Sequence, residues 1–285
     1  MENLTYAIFE QTLTRFSTAR NYSDVYLQNA IRRGWETFQY LPAGHGMESL
    51  LDVGGRNGLF APAYLDLFNY ADVSVIGDDA PPSGHVDVAC RRGGYAMSAK
   101  KCDIETEPWP FADESFDMVV CTEVLEHMLF DPLFAANEIC RVLKPGGHAL
   151  ITVPNVVSDD SLIWLVNDRQ PGYLRYYNVL AVQRGKKDLD AIANMGHFHE
   201  YTRSDLEALL RAAGFSMETV CSFSCRAPMM DSFRFRLLLC FVRCLFPRAR
   251  RLSGSNLLAL VRKENYIPLD HRVVRYPAPL YGTIK

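Results

Sequence analysis

The sequence has no run of about 18 apolar residues, the length a helix needs to cross a bilayer. Its opening, MENLTYAIFEQTLTRF, lacks an unbroken apolar stretch behind a basic end, so no secretory signal is read there. A cytoplasmic location is the expectation. An excess of one charge is missing too: 30 basic and 33 acidic side chains leave a net charge of -3. That balance supplies no overall attraction to nucleic acid or to anionic membranes, and no nucleic-acid partner is expected. Repeats and low-complexity segments are absent. No G-x-G-x-x-G can be drawn after the first strand, which excludes the dinucleotide fingerprint.

What is present is a globular composition. Hydrophobic residues make up 48% of 285 positions, enough for a sizeable core in one large domain. Eight cysteines occur, several inside apolar segments, as Cys121 does in VVCTEV. They read as reduced, buried thiols rather than a disulfide framework. Cys221/Cys225 and Cys240/Cys244 share a four-residue offset, but Cys240 and Cys244 lie in an apolar, helical run rather than on a turn, so no metal site is expected.

Residues 1–45 carry apolar side chains at helical spacing, including Tyr6, Phe9, Leu13 and Phe16, then Tyr26, Ile31, Trp35 and Phe38. They predict a helical N-terminal extension that ends at Pro42 and Gly44. The texture changes at Glu48. SLLDVGG reads as a buried strand running into a tight turn, and LFAPAYLDLF as a helix. VSVIG (73–77) is a second strand, and the Gly/Pro/Asp-rich stretch 78–94 a loop. A short third strand is expected near 98–103, a fourth at 116–122 and a fifth at 148–154. Between the last two, DPLFAANEICRVL is an amphipathic helix stopped by Lys144-Pro145-Gly146-Gly147. SDLEALLRAAGF (204–215) is a later helix, with Ser204 as N-cap and Gly214 as its stop. METVCSF and LLALVRK (257–263) close the pattern as an antiparallel pair.

Alternating strands and helices imply βαβ units. The fold class expected is α/β, a Rossmann-like, doubly wound, mostly parallel seven-stranded sheet with an antiparallel last strand. The main domain spans 46–263 and a tail spans 264–285. Two insertions fall inside the domain. Residues 155–200 are rich in aromatics and are expected to cover a substrate site. Residues 226–255 form a basic, apolar, helical insertion. Within 232–251 it intersperses Phe233, Leu237, Phe241 and Leu245 with Arg234, Arg236, Arg243, Arg248, Arg250 and Arg251. Two readings stay open there: an interfacial helix making peripheral membrane contact, or a packed helix with solvated arginines.

The chemistry-bearing residues gather at the strand ends. Strand one ends in Asp52-Val53-Gly54-Gly55-Arg56-Asn57-Gly58, where glycines let the backbone bend and approach a ligand and an acid can receive an ammonium group. Strand two ends in Gly77-Asp78-Asp79, where a carboxylate suits a ribose diol. Strand three ends in Asp103-Ile104, an acceptor for an adenine amino group beside an apolar face. Strand four delivers Thr122, Glu123, Glu126 and His127 to the same edge. Each feature alone is also compatible with a plain turn or a solvated acid.

Taken in series, these elements with PFADESFDMVVCTEVLEH and RVLKPGG resemble the class I methyltransferases that use S-adenosylmethionine (SAM), most closely the type 11 and type 23 domain families. HFHEYTRSDLEALLRAAGF and the final LLALVRK extend the resemblance. It implies methyl transfer from SAM, with S-adenosylhomocysteine (SAH) as product. It also implies that Asp52, Gly54, Gly55, Asn57 and Gly58 cradle the methionine part of SAM. Asp79, or Asp78 beside it, would hold the ribose and Asp103 with Ile104 the adenine. Thr122 and Glu123 would line the methyl side. Those families usually carry a glycine where this chain has Arg56, which places a cation near the sulfonium or points outward.

An oxygen acceptor needs a proton acceptor nearby, and an amine must be neutral. His127 is the first candidate, because it follows strand four and titrates near neutrality; His197, His199 and Glu200 follow. Each of these histidines is equally readable as a hydrogen-bonded structural residue. Cys121-Thr122-Glu123-Val124 stands where base-amine methyltransferases carry an Asn/Asp-Pro-Pro-aromatic motif, which argues against exocyclic base amines. The expected partner is a small molecule, or a sugar in a glycan or glycolipid. A non-catalytic binding or regulatory module is the rival, with Arg56 as its motive, and an RNA methyltransferase ranks lower for lack of a basic stripe. Asp79→Ala is expected to weaken SAM binding by about 1–3 kcal/mol in calorimetry, through loss of charge-assisted hydrogen bonds. Unchanged affinity would move the ribose contact to Asp78.

Overall fold

The computed structural model describes residues 4–17, 24–55, 57–168, 197–225, 233–245 and 253–268. At its centre, β1 (Ser49–Val53) runs parallel to β2 (Asp72–Gly77) on one side and to β5 (Phe116–Thr122) on the other. Beyond β2 lie β4 (Gly93–Lys101), parallel to it, and β3 (His85–Cys90), antiparallel at the edge. Beyond β5 come parallel β6 (Leu143–Pro154), antiparallel β8 (Asn256–Lys263) and edge strand β7 (Phe215–Phe223). The order is therefore β3-β4-β2-β1-β5-β6-β8-β7.

The α/β, mostly parallel sheet matches expectation, with one strand more than the seven expected. The extra strand is β3, which falls inside the stretch 78–94 read as loop. Only Val88 and Cys90 of β3 are buried. Val86, Val88 and Cys90 do alternate toward the core, but this short signal follows the Gly/Pro/Asp-rich residues 78–84, and its hairpin partner β4 begins at Gly93, earlier than expected. Lys144–Gly147 also differ: they form the irregular start of β6, where pairing slips between Phe116↔Leu143 and Met118↔His148.

Both sheet faces are covered, so the central strands are apolar on both sides. Leu51 and Val53 of β1, Val119 and Cys121 of β5, and Ile151 and Val153 of β6 face one core. That core is shared with α4 (Leu133–Val142) and α6 (Arg203–Ala212). Leu50, Met118, Val120 and Leu150 face the other, with α1 (Tyr6–Ser17), α2 (Asp24–Phe38) and α3 (Ala61–Asp66). Phe9, Leu13, Ile31 and Phe38 of the N-terminal extension are fully buried there, and Phe38 meets Phe60, Tyr64 and Phe68 edge-on. The extension thus completes a sheet face.

Two further details depart from expectation. Helix α6 begins after Thr202, two residues before the expected cap. Thr202 Oγ1 accepts from Asp205 N, and the Asp205 carboxylate accepts in return from Thr202 N, a capping box that leaves Ser204 inside the first turn. Four cysteines (90, 102, 121 and 140) are buried, but Cys240 and Cys244 are exposed on α7 (Phe233–Leu245). Leu237, Phe241 and Leu245 are exposed on the same helix. No described helix is long and apolar enough to cross a membrane. Arg56, most of 155–200, the arginines at 248, 250 and 251 and most of the tail lie outside the described residues.

The sequence motifs shared with the resembled families hold this framework together. Arg141 donates to both oxygens of Glu138 at 2.8 Å, to Asp113 Oδ1 at 2.7 Å, and to the carbonyls of Phe111 and Trp109. Glu138 Oε2 also accepts from Trp109 N at 2.7 Å, so one ion pair pins the whole WPFAD loop onto α4. Asp117 Oδ2 accepts from Ser49 N, Ser49 Oγ and Lys144 Nζ, joining the starts of β1, β5 and β6. Because Glu138 is buried, Arg141→Met leaves an uncompensated carboxylate. It is expected to cost about 3–5 kcal/mol in chemical denaturation. A loss under about 1 kcal/mol, the range of exposed pairs, would show that the clamp carries no strain of this kind.

Candidate functional site

The chain places β1, β2 and β4 to one side, then reverses to place β5 and β6 on the other. The crevice between the C-terminal ends of β1 and β5 is the topological switch point, where ligands enter open α/β sheets. The glycine turn after β1 lines it. Gly54 has φ +72° and lies so close to β5's exit that a Cβ there would stand 2.7 Å from Val124 Cγ2. Only glycine meets both conditions, and the backbone is left bare at the crevice. Gly58 N donates to Gly55 O at 2.8 Å and closes the turn, with Asn57 exposed at its tip.

Asp52 lies beneath this turn. It is 3% exposed, its Oδ2 is 3.4 Å from the Tyr64 hydroxyl, and a Cβ on Gly55 would stand 2.5 Å from its carboxyl. Burial pushes its pKa up to about 7, against the Tyr64 hydrogen bond that lowers it. The side chain expected to receive the ligand's ammonium group is therefore turned under the backbone at Gly55.

The acids after β2 and β4 do come together. Asp78 and Asp79 are exposed at the end of β2, and Asp79 Oδ1 lies beside Gly77, whose Cβ position is 3.7 Å from the Gly54 Cα. The Asp78 carboxyl has its pKa raised by desolvation and then by the Asp103 and Asp79 charges, against the Ile104 backbone, which lowers it. Asp103 is half-buried; its oxygens accept from Glu105 N at 3.0 Å and from the Thr106 hydroxyl. Three carboxylates, a bare glycine turn and half-buried Ile104 therefore share one edge. A cradle that a Cβ would fill, next to acceptors for a diol and an amine, fits the SAM molecule that the sequence implies.

Across the crevice, Thr122 and Glu123 end β5. Glu123, at φ +55°, accepts from Thr152 Oγ1 and from Asn256 Nδ2 at 2.9–3.0 Å, and Arg33 of α2 lies 3.7 Å away. Arg33 was not legible beforehand, since nothing in a surface helix arginine marks a contact 90 residues away in sequence. The chain then turns through Leu125–His127, and segment 197–201 folds against it. Phe198 N and His199 N donate to Glu126 O, the Tyr201 hydroxyl donates to Leu125 O, and Asn155 bridges Tyr201. Of the two later histidines, His197 reaches His127: the rings meet edge-on with centroids 4.9 Å apart. His199 instead pairs Nε2 with Phe130 O at 2.9 Å, which gives it the anchoring role left open for it.

Glu126 sits beneath these rings. It is fully buried, neither carboxyl oxygen has a hydrogen-bond partner among the described residues, and Oε1 is 3.9 Å from His127 Nε2. Burial, then the Glu123 charge, holds its carboxyl well above the usual range. Glu200 Oε1 stands 3.5 Å from His197 Nδ1.

A doubly wound sheet with a glycine turn and acids at its switch point defines the class of α/β proteins whose ligands enter at the carboxyl ends of the strands. The methyltransferase-domain family model matches residues 9–220, and the chain belongs to that family. An uncharacterized methyltransferase from Mycobacterium sp. strain KMS is 34% identical over 108 residues, 38% of this chain and 39% of that relative. One from Mycolicibacterium vanbaalenii is 36% identical over 107 residues, 36% of this chain and 38% of its own. The matches thus span about two fifths of those relatives. Among solved structures, a chain of the complex between the Haloferax volcanii Trm112 methyltransferase activator and a methyltransferase aligns with TM-score 0.53 and 17% identity, covering 90% of this chain and 98% of that one. The S-adenosylmethionine dependent methyltransferase from Mesorhizobium loti gives 0.50 and 16%, over 81% and 97%. At these identities the two structures support the fold.

Asp52 sets a pH test. Its folded pKa of about 7 exceeds the unfolded value of about 4, so the unfolded chain ionises first. The contribution of Asp52 to stability is greatest below pH ~4, falls as pH rises toward ~7, and is level above. Asp52→Asn is expected to remove this slope and to be more stable than the parent at pH 8 by about 1–4 kcal/mol. Thermal melts of both proteins from pH 4 to 8 read the difference; parallel curves would contradict a buried, neutral Asp52.

Proposed function

We propose that this chain transfers a methyl group from SAM to an oxygen or nitrogen of a small molecule, or of a sugar in a glycan or glycolipid, releasing SAH. The observation that carries the reading is the bare Gly54 turn packed on Val124, with Asp78, Asp79 and Asp103 along the same strand edge. SAM brings a methyl group already activated by its sulfonium.

The chain's own residues then have three tasks. Asp79 or Asp78 and Asp103 orient the nucleoside, and the turn at Gly54 and Gly55 follows the amino-acid portion. The acceptor must approach in line from the β5 side, where Thr122 and the His127–His197 pair stand, so alignment supplies much of the rate. The cluster of Glu126, His127, His197 and Glu200 is where the acceptor gives up its proton. Exposed Leu237, Phe241 and Leu245 on α7 support contact with an apolar surface, as a lipid-linked acceptor would require.

Calorimetry with SAM and with SAH tests the reading, and absence of binding to both would remove it. His127→Ala is expected to lower turnover on a found acceptor by about 10²-fold or more while changing SAM affinity less than about threefold. Equal turnover would dismiss His127 from the reaction.

A further inference from the structure

We infer that Glu126, His127 and His197 form a binding site for a single divalent transition-metal ion of the zinc type. One carboxylate oxygen and one ring nitrogen from each histidine lie within 4.8 Å of one another. Ligands of a zinc ion with bonds of about 2.0–2.2 Å stand up to about 4 Å apart, so small side-chain rotations close the set. Two imidazoles and a carboxylate suit zinc better than magnesium or calcium, which take oxygen shells.

The second observation is Glu126 itself. It is wholly buried, is aimed at the two rings, and has no hydrogen-bond partner on either oxygen among the described residues. A buried carboxyl is ordinarily hydrogen-bonded or paired with a cation. Among the described residues no lysine or arginine forms an ion pair with Glu126; the Arg33 charge acts on it only from a distance, since Arg33 is placed against Glu123. A bound cation would take one of these oxygens as a ligand and offset the carboxylate's charge. The histidines are accessible enough for entry: His127 is 37% and His197 13% exposed, and Glu200 Oε1 stands 3.5 Å from His197 Nδ1.

The sequence expectation of no metal rested on the cysteine pairs. The ligands come instead from two segments 70 residues apart, joined when Phe198 N and His199 N bond to Glu126 O. The site also deepens the methyl-transfer reading on which its consequence rests. An ion of this kind binds a hydroxyl and makes its proton easier to lose, which favours an oxygen acceptor over an amine.

The test uses the full chain, stripped with chelator and titrated with Zn²⁺ against a zinc-indicator dye, with Mg²⁺ in parallel. One Zn²⁺ per chain is expected, with Mg²⁺ at least 100-fold weaker. Glu126→Gln and His197→Ala should each weaken Zn²⁺ tenfold or more, while SAH binding stays within threefold as the check on folding. Glu126→Gln is isosteric and removes a buried ionisable group, so it should melt no lower than the parent. The double variant Cys240→Ser/Cys244→Ser should bind Zn²⁺ as the parent does. The inference is overturned if the parent takes up no stoichiometric Zn²⁺, if folded Glu126→Gln and His197→Ala bind it unchanged, or if the cysteine variant abolishes uptake. SAH binding is read separately, so its loss in the parent would sink the methyl-transfer reading and leave the metal result standing.

Discussion

The pairing of β1 with β2 on one side and β5 on the other is the constraint from which the site follows. Both pairings are parallel, with Leu50–Val53 in register with Val73–Ile76 and with Met118–Cys121. Parallel strands end together, so the turns after β1, β2, β4 and β5 leave the sheet along one edge. The reversal of strand order on either side of β1 then opens a crevice that no crossover connection fills. Slipping one strand by a residue would exchange its two faces and bury the wrong set of side chains. The apolar cores on both faces therefore guard the alignment of Gly54, Gly77, Asp103 and Glu123, though none of these residues belongs to them.

The most recognisable stretches of the chain serve this alignment more than the chemistry. PFADESFD and RVLKPGG are conspicuous by their spacing, yet Asp113, Asp117, Arg141 and Lys144 bind one another, a neighbouring acid and nearby backbone. The Arg141 guanidinium reaches two carboxylates and two carbonyls because its planar fork offers donors in several directions, which an ammonium cannot match at fixed positions. A loop of Trp, Pro and Phe cannot form a ladder with β5, so its carbonyls need side-chain donors, and Arg141 provides them. A family can thus be legible from residues that never approach its ligand.

What was legible followed burial. β1, β2, β5 and the later part of β6 are apolar on both faces, so short unbroken hydrophobic runs declared them. β3 buries only two side chains and is held by pairing with β4, so its sequence of Gly, Asp and Pro neighbours read as loop. At the site, acids at strand ends were legible because topology dictates where strand ends go. Their orientation was not: Asp52 turns under Gly55, a choice set by the space that one missing Cβ leaves. His197 and His199 were inseparable in sequence, being two apart in an extended segment. The carbonyl of Phe130 captures one and leaves the other to His127, and that depends on how residues 197–201 lie against the turn after β5.

Asp52 and Glu126 pose the same electrostatic problem with different solutions. Both are buried carboxyls one strand apart, and burial raises the pKa of each. Asp52 has a neutral donor, Tyr64, and apolar surroundings, so protonation satisfies it at little further cost. Glu126 has no donor among the described residues, a second carboxylate in Glu123 that disfavours its charge, and two imidazoles whose polar atoms face it. Protonating Glu126 removes its charge but leaves an unpaired carbonyl oxygen and an unpaired hydroxyl in a dry place, a penalty of about 1–3 kcal/mol per group. Replacing it by an apolar residue would remove that penalty outright. A buried carboxyl left without donors among the described residues, at the point where two histidines converge beside the crevice, is the group that the inferred cation would satisfy.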